Sequence, residues 1–244
     1  MEMLISLSIL EYESELSSNI DKLEDTEAFA KIVSLVRTGK LNSIHIDVMR
    51  PPMIPGESRF PIGLIKKLYE KLHGKIALTI HLMVDDPLNI INEINKFIVD
   101  ENRANTMIIL QVESFSSEDE AVKSIETVKK YGYKVGVSLN LTTPKKRLAD
   151  KIVSSADLIL LMTVPMGSGR QKFHEAAMRR IKYFSTRFPN KIIMVDGGIN
   201  PETIIKVWRA GAKAAVVGSY ITTSGKPEEA LLSLEGSLRM HVNS

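Results

Sequence analysis

An apolar run, Ser43-Ile44-His45-Ile46-Asp47-Val48-Met49, carries a histidine and an aspartate two residues apart. In a β-strand, residues i and i+2 share a face, so this imidazole and carboxylate project side by side while Ile44, Ile46 and Val48 face the other way. Polar groups so placed in a buried strand cost free energy unless something engages them. A metal ion is the simplest partner, and a mutual His–Asp hydrogen bond at a strand end is the plain alternative. Two further runs strengthen the metal reading: Ile76–Met83 contains His81, and Lys191–Gly197 contains Asp196. Two histidines and two aspartates make an N2O2 set, which suits Zn, Fe, Mn or Co better than Mg or Ca. The chain has no cysteine, which excludes disulfides and thiolate ligands and fits a reducing, cytoplasmic setting.

The elements that must bring these residues together alternate from end to end. Strands are expected at Met3–Leu10, Ser43–Met49, Ile76–Met83, Thr106–Glu113, Lys134–Asn140, Asp157–Val164, Lys191–Gly197 and Ala212–Ser219. Their near-continuous Val/Ile/Leu composition is that of strands covered on both faces. Helical spacing marks Pro87–Val99, Glu118–Tyr131 and Phe173–Phe188. Asn200 and Pro201 read as N-cap and first position of another helix that ends at Gly211, and Pro227–Met240 closes the chain. Eight strand–helix units in 244 residues point to α/β architecture, a (β/α)8 TIM barrel, as one domain over residues 1–244. No Gly-x-Gly-x-x-Gly follows the first strand, which disfavours a dinucleotide-binding open sheet.

In such a barrel, reactive side chains gather at the C-terminal ends of the strands. Those ends supply Ser8, the pair His45 and Asp47, His81, Gln111 and Glu113, Asn140, Met162, Asp196 with Gly197-Gly198, and Gly218-Ser219. Barrels commonly hold phosphate on backbone N–H groups of the loops after strands seven and eight, where both glycine pairs fall. The net charge of +3 would help attract an anionic metabolite but is too weak and dispersed for nucleic acid. Lys145-Lys146-Arg147 and Arg179-Arg180 read as solvated helix faces. The apolar start has no basic flank and runs into acidic Glu11-Tyr12-Glu13-Ser14-Glu15, so a first strand is expected rather than a signal sequence. No apolar run approaches the roughly 20 residues a membrane span needs.

The stretches Ser8-Ile9-Leu10, His45-Ile46-Asp47-Val48-Met49, His81-Leu82-Met83-Val84, Ser138-Leu139-Asn140, Met162-Thr163-Val164, Gln171-Lys172-Phe173 and Val195-Asp196-Gly197-Gly198-Ile199-Asn200-Pro201 occur in that order. Together they resemble the ribulose-phosphate 3-epimerase family. The resemblance implies a barrel of the ribulose-phosphate-binding type and one divalent metal held by His45, Asp47, His81 and Asp196. It makes Asp47 and Asp196 the acid/base pair on opposite faces of a sugar phosphate. Ser8, His81 and Asn140 would contact that substrate, Met49, Met83 and Met162 would supply the methionine sulfurs, and Gly167 and Gly169 would belong to the lid. Gly197, Gly198, Gly218 and Ser219 would hold the phosphate. The family commonly forms dimers or hexamers, so a homo-oligomer is expected.

Epimerisation beside a ketone removes a C–H proton and returns one on the other face. A Lewis acid stabilises the enediolate by several kcal/mol, and each positioned carboxylate contributes about 10²–10⁴-fold. The implied activity is interconversion of D-ribulose 5-phosphate and D-xylulose 5-phosphate. A hexulose phosphate such as allulose 6-phosphate, or a catalytically weak sugar-phosphate-binding paralogue, are the alternatives. Several loops depart from the family pattern. Arg50-Pro51 replaces an acidic residue and a glycine after strand two, and Pro165-Met166-Gly167-Ser168-Gly169-Arg170 replaces a lid that usually reads Asn-Pro-Gly-Phe-Gly-Gly. Gln111 stands where the family usually has histidine, and Leu141 rather than proline follows Asn140. Intact ligands with altered loops predict metal chemistry on a shifted substrate, with Arg50 or Arg170 contacting an anionic or extended part of it.

Overall fold

Every one of the eight apolar runs becomes a strand, each shorter than or equal to its expected length. In the computed structural model, which describes residues 3–242 with side chains through 240, they are β1 (Leu4–Ser8), β2 (Ser43–Met49), β3 (Ala77–Met83), β4 (Thr106–Gln111), β5 (Lys134–Leu139), β6 (Leu158–Met162), β7 (Ile192–Asp196) and β8 (Ala214–Val217). All neighbours pair in parallel and β8 returns to β1, closing a (β/α)8 barrel. The trimmed strand ends turn directly into site loops. Glu113 lies in a 3-10 turn (Val112–Ser114), and Gly218 stands at the N-cap after β8.

Helices α1 (Glu13–Ser18) and α2 (Glu27–Arg37) follow β1, and α3 (Ile62–Leu72) follows β2. After β3 come α4 (Pro87–Ile94) and α5 (Asp100–Arg103), then α6 (Glu118–Lys130), α7 (Asp150–Ser155), α8 (Ala176–Arg187) and α9 (Pro201–Arg209). The last are α10 (Ser219–Thr222) and α11 (Pro227–Val242). Among the described residues no helix is long and apolar enough to cross a membrane. The cap expected at Asn200 forms a capping box: its side chain accepts from the Glu202 and Thr203 backbone, and Thr203 Oγ1 accepts from the Asn200 N–H. Two helices are shorter than their periodicity predicts. The helix opening at Pro87 stops at Ile94 because Arg103 takes the carbonyls of Asn95 and Ile98. The one expected from Phe173 starts at Ala176 because Phe173 packs under Gly198.

The strand faces divide as period-2 alternation requires. Ile44, Ile46 and Val48 join Ile32, Leu35, Leu64 and Leu68 of the surrounding helices in one core. Their neighbours His45 and Asp47 face the barrel interior. Register sets the height of each group: Ser8 lies beside His45, Asp47 beside His81, and Met162 beside Asp196.

The loop after β2 is locked from outside the barrel. Glu13, buried in α1, accepts hydrogen bonds from Ser17 Oγ (2.5 Å), Arg59 Nη1 (3.2 Å) and the Phe60 N–H (3.2 Å). Arg50 donates to the carbonyls of Met49 (2.6 Å), Arg59 and Phe60 (2.8 Å). Replacing Glu13 with alanine leaves the buried Phe60 N–H unpaired, so Glu13→Ala is expected to lower the unfolding free energy by about 1–3 kcal/mol. Urea denaturation measures this, and a loss no larger than that of an exposed substitution such as Glu24→Ala would show that the clamp is dispensable.

Candidate active site

The Asp47 carboxylate is the hub of the barrel mouth. Ser8 Oγ donates to its Oδ2 at 2.9 Å, and His45 Nε2 lies 3.1 Å from Oδ1. His81 Nδ1 stands 3.4 Å from the same Oδ1, too far and too poorly aligned for a hydrogen bond. Both imidazoles are fully buried, and Nδ1 of each lacks a hydrogen-bond partner. On the far side, His81 Nε2 meets Gln111 Oε1 at 2.8 Å.

Asp196 reaches the same place from β7. Its backbone carbonyl accepts from the Thr163 N–H (2.7 Å) and Thr163 Oγ1 (2.8 Å), which fixes where the carboxylate begins. Among the described residues nothing hydrogen-bonds that carboxylate. Burial, and then the nearby negative charge of Asp47, push its pKa up to about 6, against the opposing pull of the two histidines. Burial would raise Asp47 as well, but the charge and hydrogen bond of His45 outweigh it and hold Asp47 well below the usual carboxylate range. The two carboxylates therefore differ in proton affinity, Asp196 keeping its proton to higher pH than Asp47.

These four residues fit a divalent cation. Each offers one ligand atom, and the four atoms lie within 4.8 Å of one another. The buried His81 Nδ1, without a partner and facing Asp47 Oδ1, is what a metal would satisfy, and imidazole with carboxylate is a donor set for Zn, Fe, Mn or Co.

Above the cluster opens a narrow cleft at the barrel mouth. Asp47, Asp196 and Ser8 form its floor with Met49, Met83 and Met162. Gly197, Gly198, Gly218 and Ser219 line one wall, as expected. Gly198 has φ +65°, and a Cβ there would sit 2.7 Å from Phe173 Cα, so only glycine allows the wall to close on the chain that follows the lid. Gly167 and Gly169 line the lid, joined by Arg170, whose Nε donates to Glu11 Oε2 at 2.6 Å across the mouth.

Three sequence expectations take a different form. Arg50 points into the carbonyls of its own loop and does not line the cleft. Asn140 does not line it either: its Oδ1 accepts from the Met166 N–H (3.1 Å), so it holds the lid's first turn. Arg147 and Arg180 are half-buried ties rather than solvated charges. Arg147 binds the Val112 and Phe115 carbonyls, and Arg180 those of Asn140 (2.7 Å) and Thr143 (2.5 Å). The cleft also includes Glu11, which sequence reasoning took only as part of an acidic surface run. Its position three residues beyond Ser8, just past the end of β1, was the available signal.

The profile of the ribulose-phosphate 3 epimerase family matches residues 17–222. The cytoplasmic ribulose-phosphate 3-epimerase isoform of Oryza sativa subsp. japonica is 30% identical over 213 residues, covering 86% of this chain and 87% of that protein. The ribulose-phosphate 3-epimerase of Bacillus subtilis is 31% identical over 218 residues, covering 87% of this chain and 94% of that protein. Among solved structures, 3-hexulose-6-phosphate synthase from Salmonella typhimurium superposes with a TM-score of 0.63 at 16% identity, over 98% of this chain and 100% of that one. Orotidine 5'-monophosphate decarboxylase from Sulfolobus solfataricus gives 0.62 at 12% identity, over 99% of this chain and 100% of that one; both share the barrel fold. Profile, relatives and the order of site residues agree: the chain belongs to the ribulose-phosphate 3-epimerase family, whose members are isomerases.

Proposed function

We propose that this chain is a metal-dependent ketose-phosphate 3-epimerase that interconverts D-ribulose 5-phosphate and D-xylulose 5-phosphate. The observation that carries the reading is the pair Asp47 and Asp196, delivered by different strands to one cleft with opposite affinities for a proton. A binding protein has no use for two such carboxylates beside a pocket already able to hold a phosphate.

The phosphate rests against Gly197-Gly198 and Gly218-Ser219, which places the carbon chain over the methionine floor. The carboxylate that starts ionised takes the proton from C3, breaking the C–H bond and leaving its electron pair in an enediolate. The carboxyl that starts protonated returns a proton to the opposite face, so the configuration inverts and the two acids end with their protonation states exchanged. A divalent ion held by His45, Asp47, His81 and Asp196 supplies Lewis-acid stabilisation of the oxygen charge that develops. Ser8, bonded to Asp47 Oδ2, keeps that carboxylate's second oxygen occupied and its plane fixed. Met49, Met83 and Met162 wall the carbon with polarizable apolar surface and keep competing donors away. At the mouth the Glu11–Arg170 pair meets the part of the ligand that extends past the floor, which favours a hexulose phosphate such as allulose 6-phosphate as the second reading.

In heavy water, the metal-loaded protein is expected to introduce deuterium at C3 of ribulose 5-phosphate, read by proton NMR across a panel of ketose phosphates. Absence of exchange with every member of the panel would leave only a binding role. Asp47→Asn and Asp196→Asn each remove one proton carrier, and each is expected to lower turnover by about 10²–10⁴-fold. Stripping metal with a chelator is expected to abolish turnover, with Zn, Mn, Co or Fe restoring it in the wild type but not in His45→Ala or His81→Ala. Arg170→Ala is expected to raise KM while leaving kcat nearly unchanged; an equal fall in kcat and kcat/KM would place Arg170 in the chemical step instead.

A further inference from the structure

Gln111 is fully buried at the end of β4, and a buried primary amide must place two donor hydrogens and one acceptor oxygen. Its Nε2 lies 2.6 Å from Glu113 Oε2 and its Oε1 lies 2.8 Å from His81 Nε2. The carboxylate decides which way round the amide stands. Reversed, it would set two oxygens against each other at hydrogen-bond distance, so the NH2 group faces Glu113 and the oxygen faces His81. A carbonyl oxygen only accepts, and His81 Nε2 must therefore carry the hydrogen.

Glu113 is itself held. Its Oε1 accepts from the Asn140 N–H at 3.0 Å. Arg180, bound to the Asn140 and Thr143 carbonyls, lies close enough to interact with its charge. The consequence falls on the other ring nitrogen. In the neutral imidazole, hydrogen on Nε2 leaves His81 Nδ1 a bare lone pair, which faces Asp47 Oδ1 at 3.4 Å without a hydrogen-bond partner. Two lone pairs turned toward each other repel unless a cation lies between them.

We propose that Gln111, oriented by Glu113, is a positioning residue that fixes His81 as its Nε2–H tautomer and so reserves Nδ1 for a divalent cation. The inference rests on the reading of His45, Asp47, His81 and Asp196 as a metal site. It concerns the position at the end of β4, where this chain carries glutamine. An imidazole there can exchange its donor and acceptor nitrogens, whereas an amide tied to a carboxylate cannot. Partners of this kind typically change metal affinity by about 10–100-fold.

The test uses the full chain, stripped of metal, with ¹⁵N-labelled histidine. Two-bond ¹H–¹⁵N correlation spectra distinguish hydrogen on Nε2 from hydrogen on Nδ1, and competition with a chromophoric chelator gives the zinc Kd. Wild-type His81 is expected as Nε2–H. Gln111→Leu, which keeps the bulk and removes the acceptor, is expected to shift hydrogen onto Nδ1 and weaken zinc by about 10–100-fold. Glu113→Gln, at a half-buried site, removes the charge that orients the amide and is expected to give mixed tautomers with an intermediate Kd; it decides the matter should the leucine variant not fold. Hydrogen on Nδ1 of wild-type His81, or an unchanged tautomer and Kd in the variants, overturns the proposal. A wild type that binds no zinc overturns the metal reading, and the tautomer measurement still decides the role of Gln111.

Discussion

A buried carboxylate must be paired, and the mouth of this barrel is organised around that requirement at Asp47. Moving such an anion out of water costs several kcal/mol unless charges and donors compensate. Compensation comes from Ser8 on β1 and His45 on β2, with His81 on β3 facing the same oxygen at 3.4 Å. Parallel register is what lets them meet, since Ser8 is level with His45 and Asp47 with His81. The polar character continues below. Ser6 and Ser43 share a 2.6 Å hydrogen bond, and Thr79 donates to Ser43 at 3.1 Å. The other side of the interior is apolar, built from Ile109, Leu160, Met162, Met194, Ala214 and Val216. Asp196 rises from that apolar half with no donor on its carboxylate, which is why burial dominates its raised pKa while charge and hydrogen bonds dominate Asp47. Two aspartates in one cleft thus acquire opposite roles from the two halves of one barrel.

Cationic side chains at this end of the molecule mostly hold the loops. Arg50 closes the β2 loop on its own carbonyls, Arg180 ties the β5 loop, Arg147 ties the turn after β4, and Arg170 spans the mouth to Glu11. Gly197, Gly198, Gly218 and Ser219 line the cleft without adding any formal charge to it.

The strands were legible because both-face burial writes itself as unbroken aliphatic runs, and the i, i+2 spacing of His45 and Asp47 needs only strand geometry to become a site. Asp196 was legible by its place before Gly197-Gly198. The loops were not legible in the same way. Arg50 reads as a ligand contact because sequence cannot show that the Arg59 and Phe60 carbonyls fold back toward it. Glu13 sits in an acidic run like a solvated residue, yet it is buried because it accepts from the Phe60 amide, more than forty residues on, with Arg59 shared between it and Glu57. Asn140 falls at a strand end with the substrate-facing positions, but its side chain turns to the Met166 amide. In each case the deciding partner is a backbone group, and backbone groups carry no sequence signature.

The lid's root and the proton-holding carboxylate share one set of contacts. Thr163 binds the Asp196 carbonyl through both its N–H and its hydroxyl, and its own carbonyl accepts from the His174 N–H at 3.0 Å. Gly198 packs directly on the Phe173 backbone. Both ends of the lid are therefore anchored to β6 and to the turn after β7, while the span between Gly167 and Arg170 reaches the rest of the site through the Glu11 ion pair and the Ile54 side chain. Substitutions in that span can change what the mouth accepts without displacing Asp196. The barrel and the Thr163 anchor thus fix where Asp196 stands, while the span from Gly167 to Arg170 is tied mainly through its contact with Glu11.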